Sequence, residues 1–353
     1  MVNKLQSLGI SYTSTHNFTE LINAASFYLE DQYVDAITSL PMVSAIWPMR
    51  LTSLDRTPLS ANSATNQTAS SLTRPPRALL EHYYTGVNFA HQAPYNLTGR
   101  DIKVGVIDSG IDYHHPAFGS CYKTPGCRIQ YGYDFVGDQF NGTNVLQPDD
   151  DPLDTCNGHG TTVTGILAGY DSGTDGEETY KGVAPDAILG IYRALGCSGL
   201  TNSVALIRAI EQAYVDGMQI INISVATASG WDAWSEAKVV QEFSNRGRIV
   251  VSAAGNSGLD NMWSVSSPSI ALGCISVGDP PTLSVSTNPI DVAVFDNYLP
   301  NSVSWFSSWG PAAGNHLKPN LVAPGSKIYS PRPLNLGTYD LASGTSMSSP
   351  YVA

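Results

Sequence analysis

Ile102-Lys103-Val104-Gly105-Val106-Ile107-Asp108-Ser109-Gly110 is an apolar run that stops on a carboxylate and a short turn. A strand buried on both faces reads as such a run, whereas a half-buried strand alternates. Similar runs return at residues 188–195, 220–225 and 249–253, with helical patterns between the last three. Thr201 or Asn202 caps a helix whose apolar positions Val204, Ile207, Ile210 and Tyr214 recur at helical spacing, and Asp216-Gly217 ends it. A second helix is expected over 232–245, with Gly247 as its stop. Strands and helices alternating from Thr98 onward predict an α/β fold, a doubly wound parallel sheet covered by helices on both faces. In such sheets the chemistry sits at the carboxyl ends of the strands.

The ends of the chain have a different character. Residues 1–52 form a small unit of their own, α+β in type: Leu21, Ile22, Ala25 and Phe27-Tyr28 read as an amphipathic segment, and residues 33–47 as helix, turn and strand. So short a unit cannot bury enough surface to stand alone and is expected to pack on the rest. Residues 53–83 have the Ser/Thr/Asn/Pro composition of a linker, which leaves 84–353 as the principal domain. The net charge of −12 and pI of about 4.8 argue against nucleic acid or an anionic membrane as partner. No apolar run approaches the roughly 20 residues of a transmembrane helix.

Five cysteines are too few for a disulfide scaffold and fit no zinc spacing. Cys121 and Cys127 bracket a Pro-Gly loop, and Cys156 with Cys197 is a second candidate pair, which leaves Cys274 as a buried thiol; the alternative is five reduced thiols. Sequons stand at Asn17, Asn66, Asn96, Asn141 and Asn222. Asn66, Asn96 and Asn141 have the polar settings of glycan carriers, whereas Asn222 lies in an apolar run and is expected in a buried strand. The N-terminus has no apolar signal core. Either the protein is cytoplasmic or its true beginning lies upstream, and the sequons favour the second.

Four polar groups stand at element boundaries. Asp108 ends the first strand. His159 lies between glycines in Asn157-Gly158-His159-Gly160-Thr161-Thr162, at a helix start. Asn256 follows a buried strand in Ser252-Ala253-Ala254-Gly255-Asn256, and an amide there can donate to an oxyanion. Ser346 sits in Gly344-Thr345-Ser346-Met347-Ser348-Ser349-Pro350, where small neighbours admit a substrate carbonyl and a first helical turn offers free N–H groups. Singly, each reads as a cap or a turn. Jointly they supply a nucleophile, a base that takes its proton and a carboxylate that orients the base.

With these motifs the chain resembles the subtilisin-like serine proteases (subtilases), and within them the secreted fungal and bacterial members that carry an N-terminal inhibitor-type propeptide. The order Asp, His, Ser is the one that family uses, unlike the chymotrypsin and α/β-hydrolase orders. The resemblance implies a secreted endopeptidase with Asp108, His159 and Ser346 as catalytic triad and Asn256 as oxyanion donor, helped by the Ser346 N–H. It further implies that Ser224-Val225-Ala226 pairs with substrate backbone and that Ala253-Ala254-Gly255 walls the pocket before the scissile bond. Residues 1–52 then match the end of a propeptide that acts in cis, and proteins or peptides are the substrates. Ser307-Ser308-Trp309-Gly310-Pro311 and the run from Lys318 to Gly325 are further landmarks. Thr162 replaces a usual second histidine, Thr164 a usual alanine, and Ser348-Ser349 a commoner Ala-Thr. The ninety positions from Asn256 to Ser346 leave no room for the protease-associated domain of many relatives.

The resemblance requires no cofactor. Asp171, Asp175, Glu177 and Glu178 form an acidic loop where some subtilases bind calcium, though a solvated loop is the simpler reading; Asp149-Asp150-Asp151 and Asp154 are read as surface charge. Only eight residues run from Ser346 to Ala353, so the nucleophile's helix is expected to be cut short. The rival expectation is therefore a catalytically silent or incomplete chain of subtilase fold.

Overall fold

The computed structural model describes residues 2–54, 80–172, 180–227, 230–280 and 303–353. The N-terminal unit holds α1 (Val2–Ser7), the antiparallel pair β1 (Tyr12–Phe18) and β2 (Ala24–Leu29), and α2 (Val34–Thr38), around Leu5, Ile10, Ile37 and Leu40. The segment around Phe27 is therefore a strand: β2 pairs with β1 from Tyr12↔Leu29 to Phe18↔Ala24, and Phe27 packs edge-on against Tyr12. Leu21 precedes it and joins Phe18 in the core of the main body. The helix expected after Tyr33 forms, but residues 42–48 build no strand; they cross the surface on side-chain anchors, the Trp47 indole donating to the Ala233 carbonyl at 2.6 Å. A short strand, β3 (Leu51–Ser53), closes the unit.

The main body opens with α3 (Leu80–Thr85) and α4 (Val87–His91), followed by β4 (Lys103–Asp108), β5 (Ile129–Asp134) and α5 (His159–Ala168). A small hairpin, β6 (Tyr170–Asp171) with β7 (Tyr180–Lys181), leads to β8 (Ile188–Arg193), β9 (Leu200–Asn202) and α6 (Ser203–Val215). After β10 (Ile220–Ile223), α7 (Ser235–Asn245), β11 (Ile249–Ala253) and β12 (Cys274–Gly278) come β13 (Leu321–Val322), the hairpin β14 (Ile328–Pro331) with β15 (Tyr339–Ala342), and α8 (Thr345–Ser348). Among the described residues no helix is long and apolar enough to cross a membrane.

Seven parallel strands form the central sheet in the order β13-β12-β11-β10-β4-β8-β5. This is the expected α/β architecture, a parallel sheet with a helix-covered core on each face. The two-residue period of a strand sends Val104 and Val106 to one face of β4 and Ile107 to the other. The first two share a core with Val163, Ile166 and Leu167 of α5. Ile107 shares the second core with Ile210 of α6 and Phe243 of α7. Each such buried side chain contributes about 1.5–3 kcal/mol. The chain leaves β4 for β5 and β8 on one side, then crosses to β10 on the other, so a topological switch lies between β4 and β10. Register brings the strand ends level there, with Ile107 opposite Ile223 and Ile223 opposite Ser252.

Asn202 caps α6 through a 3.0 Å bond from the Ala205 N–H. Helix α7 starts at Ser235, three residues later than expected, because the preceding turn is held by the N-terminal unit: besides the Trp47 bond, Arg50 lies 4.0 Å over the Trp234 ring and pairs with Glu236 at 3.3 Å. Both disulfides form, Cys121–Cys127 and Cys156–Cys197, and Cys274 is a buried free thiol pushed up to about 12 by its burial. Asn222 is fully buried in β10, while Asn17, Asn96 and Asn141 are exposed; Asn66 lies outside the described residues.

The body begins before residue 84. His82 is 3% exposed, with the Lys181 carbonyl 2.8 Å from Nε2 and the Tyr351 hydroxyl 2.9 Å from Nδ1. A carbonyl only accepts, so Nε2 carries the proton and Tyr351 donates to Nδ1. Burial lowers His82 from 6.5 to about 4. The unfolded chain thus binds the extra proton first as pH falls, and the stability His82 confers above pH 6.5 is lost on the way down to pH 4, up to roughly 3 kcal/mol. Denaturant midpoints measured between pH 7 and pH 4 should fall more steeply for the wild type than for His82→Gln. Parallel slopes would contradict the neutral, buried imidazole.

Candidate active site

Asp108 ends β4 and is almost wholly buried. Its Oδ1 accepts from the Ser109 N–H at 2.7 Å and stands 2.8 Å from Nδ1 of His159, the first residue of α5. A carboxylate facing Nδ1 selects the tautomer with its proton there and leaves Nε2 as the basic nitrogen. The glycines around His159 are needed for backbone reasons. Gly158 has a φ of 86°, and a Cβ on Gly160 would lie 2.1 Å from the Gly110 carbonyl oxygen.

The loop before His159 is organised by a buried carboxylate, so Asp154 is no surface charge, whereas Asp149, Asp150 and Asp151 are exposed. Asp154 Oδ1 accepts from the N–H groups of Cys156 (3.0 Å) and Asn157 (2.7 Å), and Oδ2 from Gly158 N–H (2.8 Å) and the Ser109 hydroxyl (2.6 Å). Ser109 Oγ in turn accepts from the Gly160 N–H at 2.9 Å. The turn after Asp108 and the start of the His159 helix thus hang on one anion. Four donors, one of them a side chain, offset the cost of burying it. Its sequence setting, five residues ahead of a histidine, carries no signal of this role.

Ser346 lies in the first turn of α8 and is 8% exposed. Helix α8 shares a core with α5 through Met347, Val163 and Ile166, which fixes the serine relative to His159. Ser346 Oγ donates to the Ser224 carbonyl at 3.0 Å, and among the described residues no hydrogen bond joins it to His159. Ser224 Oγ donates to the Ser346 carbonyl at 2.9 Å and lies 2.9 Å from both Asn222 Nδ2 and Ser349 Oγ. The side chains of Ser224, Val225 and Ala226 point into the body, so this run can present only its backbone to a ligand.

Asn256 follows β11. Its Oδ1 accepts from Thr345 N–H at 2.9 Å and from Thr345 Oγ1 at 3.0 Å. A backbone N–H can meet only the amide oxygen, which fixes the amide orientation and identifies Nδ2 as its donor end. Thr345 Oγ1 also accepts from Gly255 N–H at 3.1 Å, which ties the loop after β11 to α8. Gly344 has a φ of 148°, and a Cβ there would sit 3.4 Å from Asn256 Nδ2, in the space the amide faces. Ala253 and Ala254 are buried, and Gly255 has a φ of 105° with its carbonyl accepting from the Ser308 N–H at 2.9 Å. Asp108, His159, Ser224, Asn256 and Ser346 therefore converge at the carboxyl edge of the sheet. The Asp171 carboxylate accepts from the Tyr339 hydroxyl at 2.7 Å; Asp175, Glu177 and Glu178 lie outside the described residues.

The sheet switch point thus carries a carboxylate-bound imidazole and a helix-borne serine, and comparison with known proteins identifies the family. Residues 99–353 match the model of the Subtilase family, and the chain belongs to that family. It is 36% identical over 196 residues to the Minor extracellular protease Vpr of Bacillus subtilis (strain 168), covering 55% of this chain and 22% of that protein. Pyrolysin of Pyrococcus furiosus is 28% identical over 312 residues, 73% of this chain and again 22% of the relative. The chain thus spans about a fifth of the length of these two. Subtilisin DY of Bacillus licheniformis is 32% identical over 256 residues, 72% of this chain and 75% of that protein.

Removing the Asp154 carboxylate leaves three backbone donors and one hydroxyl unpaired under the histidine. Asp154→Ala should cost at least about 3 kcal/mol of stability and broaden or erase the downfield Nδ1-proton resonance of His159 in NMR spectra. A variant that retains the resonance and the wild-type stability would show that the loop holds itself.

Proposed function

We propose that the chain is a secreted serine endopeptidase that cleaves peptide bonds through an acyl-enzyme and is made as a self-inhibited precursor. The observation that carries this reading is the 2.8 Å contact between Asp108 and His159, on a helix that shares its core with the helix of Ser346. Asp108 keeps the imidazole in the tautomer with a basic Nε2 and stabilises the imidazolium. Ser346 Oγ turns from the Ser224 carbonyl toward Nε2, gives up its proton and attacks the substrate carbonyl carbon. The carbonyl oxygen, now negative, takes hydrogen bonds from Asn256 Nδ2 and the Ser346 N–H, in the space that Gly344 leaves open. His159 passes the proton to the leaving amine. Water then enters, loses a proton to His159 and releases the acyl group. Extended substrate backbone lies against Ser224-Val225-Ala226, and its residue before the scissile bond lies beside Ala253-Ala254-Gly255.

The precursor form rests on how the N-terminal unit docks. Glu211 of α6 is 6% exposed and its Oε1 accepts from the N–H groups of Glu20 (3.2 Å), Leu21 (2.9 Å) and Ile22 (3.4 Å). Trp47 and Arg50 then fasten the segment to the start of α7, and β3 pairs antiparallel with β9, Thr52 opposite Thr201. Residues 1–52 act as a propeptide in cis, and the processing region lies between that unit and α3. An extracellular location is supported by the names of relatives such as the extracellular protease of Bacillus subtilis and by the exposed sequons at Asn96 and Asn141, which we take as glycan sites.

Ser346→Ala should abolish hydrolysis of peptide substrates. Asn256→Ala should lower turnover by about 10²–10³ with little change in KM, the loss expected for one oxyanion donor. Steady-state kinetics on a chromogenic peptide test both, and undiminished turnover in the Asn256 variant would overturn its role.

A further inference from the structure

We propose that Asp279 is a positioning residue for the nucleophile, a buried carboxyl that must keep its proton to hold the helix of Ser346 in place. Turnover therefore falls when that proton is lost at alkaline pH. The kinetic side of this inference rests on the endopeptidase reading.

Asp279 directly follows β12 and is fully buried. Its N–H donates to Ser307 Oγ at 3.2 Å, and its carbonyl accepts from the Ser304 N–H at 2.8 Å and the Ser304 hydroxyl at 3.3 Å. Of the carboxyl oxygens, Oδ2 meets the Ser326 hydroxyl, whereas Oδ1 has no hydrogen-bond partner among the described residues. A second unmet group lies close by. It is the hydroxyl of Ser348, on α8 two residues after the nucleophile and also fully buried. Gly325 brings the two groups together. A Cβ there would lie 2.0 Å from Ser348 Oγ, 2.7 Å from the Gly344 carbonyl oxygen and 3.0 Å from Asp279 Oδ1. The Gly325 carbonyl also accepts from the Gly344 N–H at 2.8 Å, so the end of β12 and the start of α8 meet on one glycine.

The groups that face Asp279 are neutral: Ser304 and Ser307 on one segment, Gly325 and Ser326 on the next, and Ser348 on α8. Lys327, beside Ser326, is exposed, and none of the described cationic side chains pairs with the carboxyl. The Gly344 oxygen can only accept, so an ionised Oδ1 repels it, while an Oδ1–H can donate toward it or toward Ser348 Oγ. Burial pushes the carboxyl up to about 7, which keeps much of the proton in place at neutral pH. Once ionised, an anion without a counter-charge must draw in water, and the seam that admits it is the one that seats α8. A displacement of about 1 Å from the attack geometry costs up to about 10²-fold in rate.

Two measurements decide the matter. In the full chain carrying Ser346→Ala, infrared difference spectra against the same chain with Asp279→Asn should show a protonated-carboxyl band at pH 6 that disappears by pH 9. Absence of the band at pH 6 would overturn the inference. In the catalytically intact chain, kcat on a chromogenic peptide should fall at least about tenfold between pH 7 and pH 9. Asp279→Asn keeps a donor and carries no charge, so its kcat should stay within about twofold over that range. Ser348→Ala should lose most of the fall, since its hydroxyl links the carboxyl to α8. A wild type that is flat to pH 9, a fall as deep in either variant, or an Asp279→Asn chain inactive at every pH would each overturn the inference. Absence of any Ser346-dependent hydrolysis in the wild type would instead sink the endopeptidase reading, since the infrared band reports the proton without catalysis.

Discussion

The hydrogen bond between Asp108 and His159 joins residues fifty-one positions apart, and the rest of the site is arranged around it. Asp108 is fixed by a strand in the middle of the sheet, where neighbours on both sides leave it no freedom of register. His159 is fixed by a helix whose first turn lies against the Gly110 backbone, closer than any side chain would allow. The two meet because Asp154, buried between them, satisfies the amides of the connecting loop and the hydroxyl of Ser109. A single buried anion thus converts a glycine-rich loop, intrinsically loose, into a defined mount.

The same economy of parts holds on the serine side. Thr345 bonds to Asn256 through both its N–H and its hydroxyl, and that hydroxyl takes the Gly255 N–H. The Asn256 amide is consequently oriented by the residue next to Ser346. Beneath them, Asn222, Ser224 and Ser349 form a buried polar web under Ser346. The asparagine at 222 has the sequence of a glycan acceptor and the burial of a core residue, and its hydrogen bond to Ser224 gives its conformation a purpose within the fold. Glu211 plays the corresponding part for the N-terminal unit, gathering three consecutive N–H groups on one carboxylate oxygen.

Much of this was legible in the residue order. Apolar runs ending on polar residues announced the parallel sheet, because strands buried on both faces cannot alternate. The spacing of Val204, Ile207 and Ile210 announced α6, and both cysteine pairings were among the alternatives open from spacing. Legibility failed where a residue's partners come from distant segments. Asp154 reads as one more acid in an acidic stretch, since nothing local shows that Ser109 and Gly158 will surround it. The run around Phe27 has an apolar spacing that fits a helix as well as a strand, and pairing with β1 settles it. His82 sits at the end of a linker-like composition, yet Lys181 and Tyr351, far along the chain, draw it into the body.

The central claim is that Asp108 and His159 make Ser346 the one activated serine of this chain. The most direct measurement is covalent labelling with a fluorophosphonate, with the modified residue mapped by peptide mass analysis and the rate compared between the wild type and His159→Ala. The account predicts an adduct on Ser346 alone, formed rapidly in the wild type and at background rate in the variant. An adduct on another serine, or equal rates in the two proteins, would contradict it.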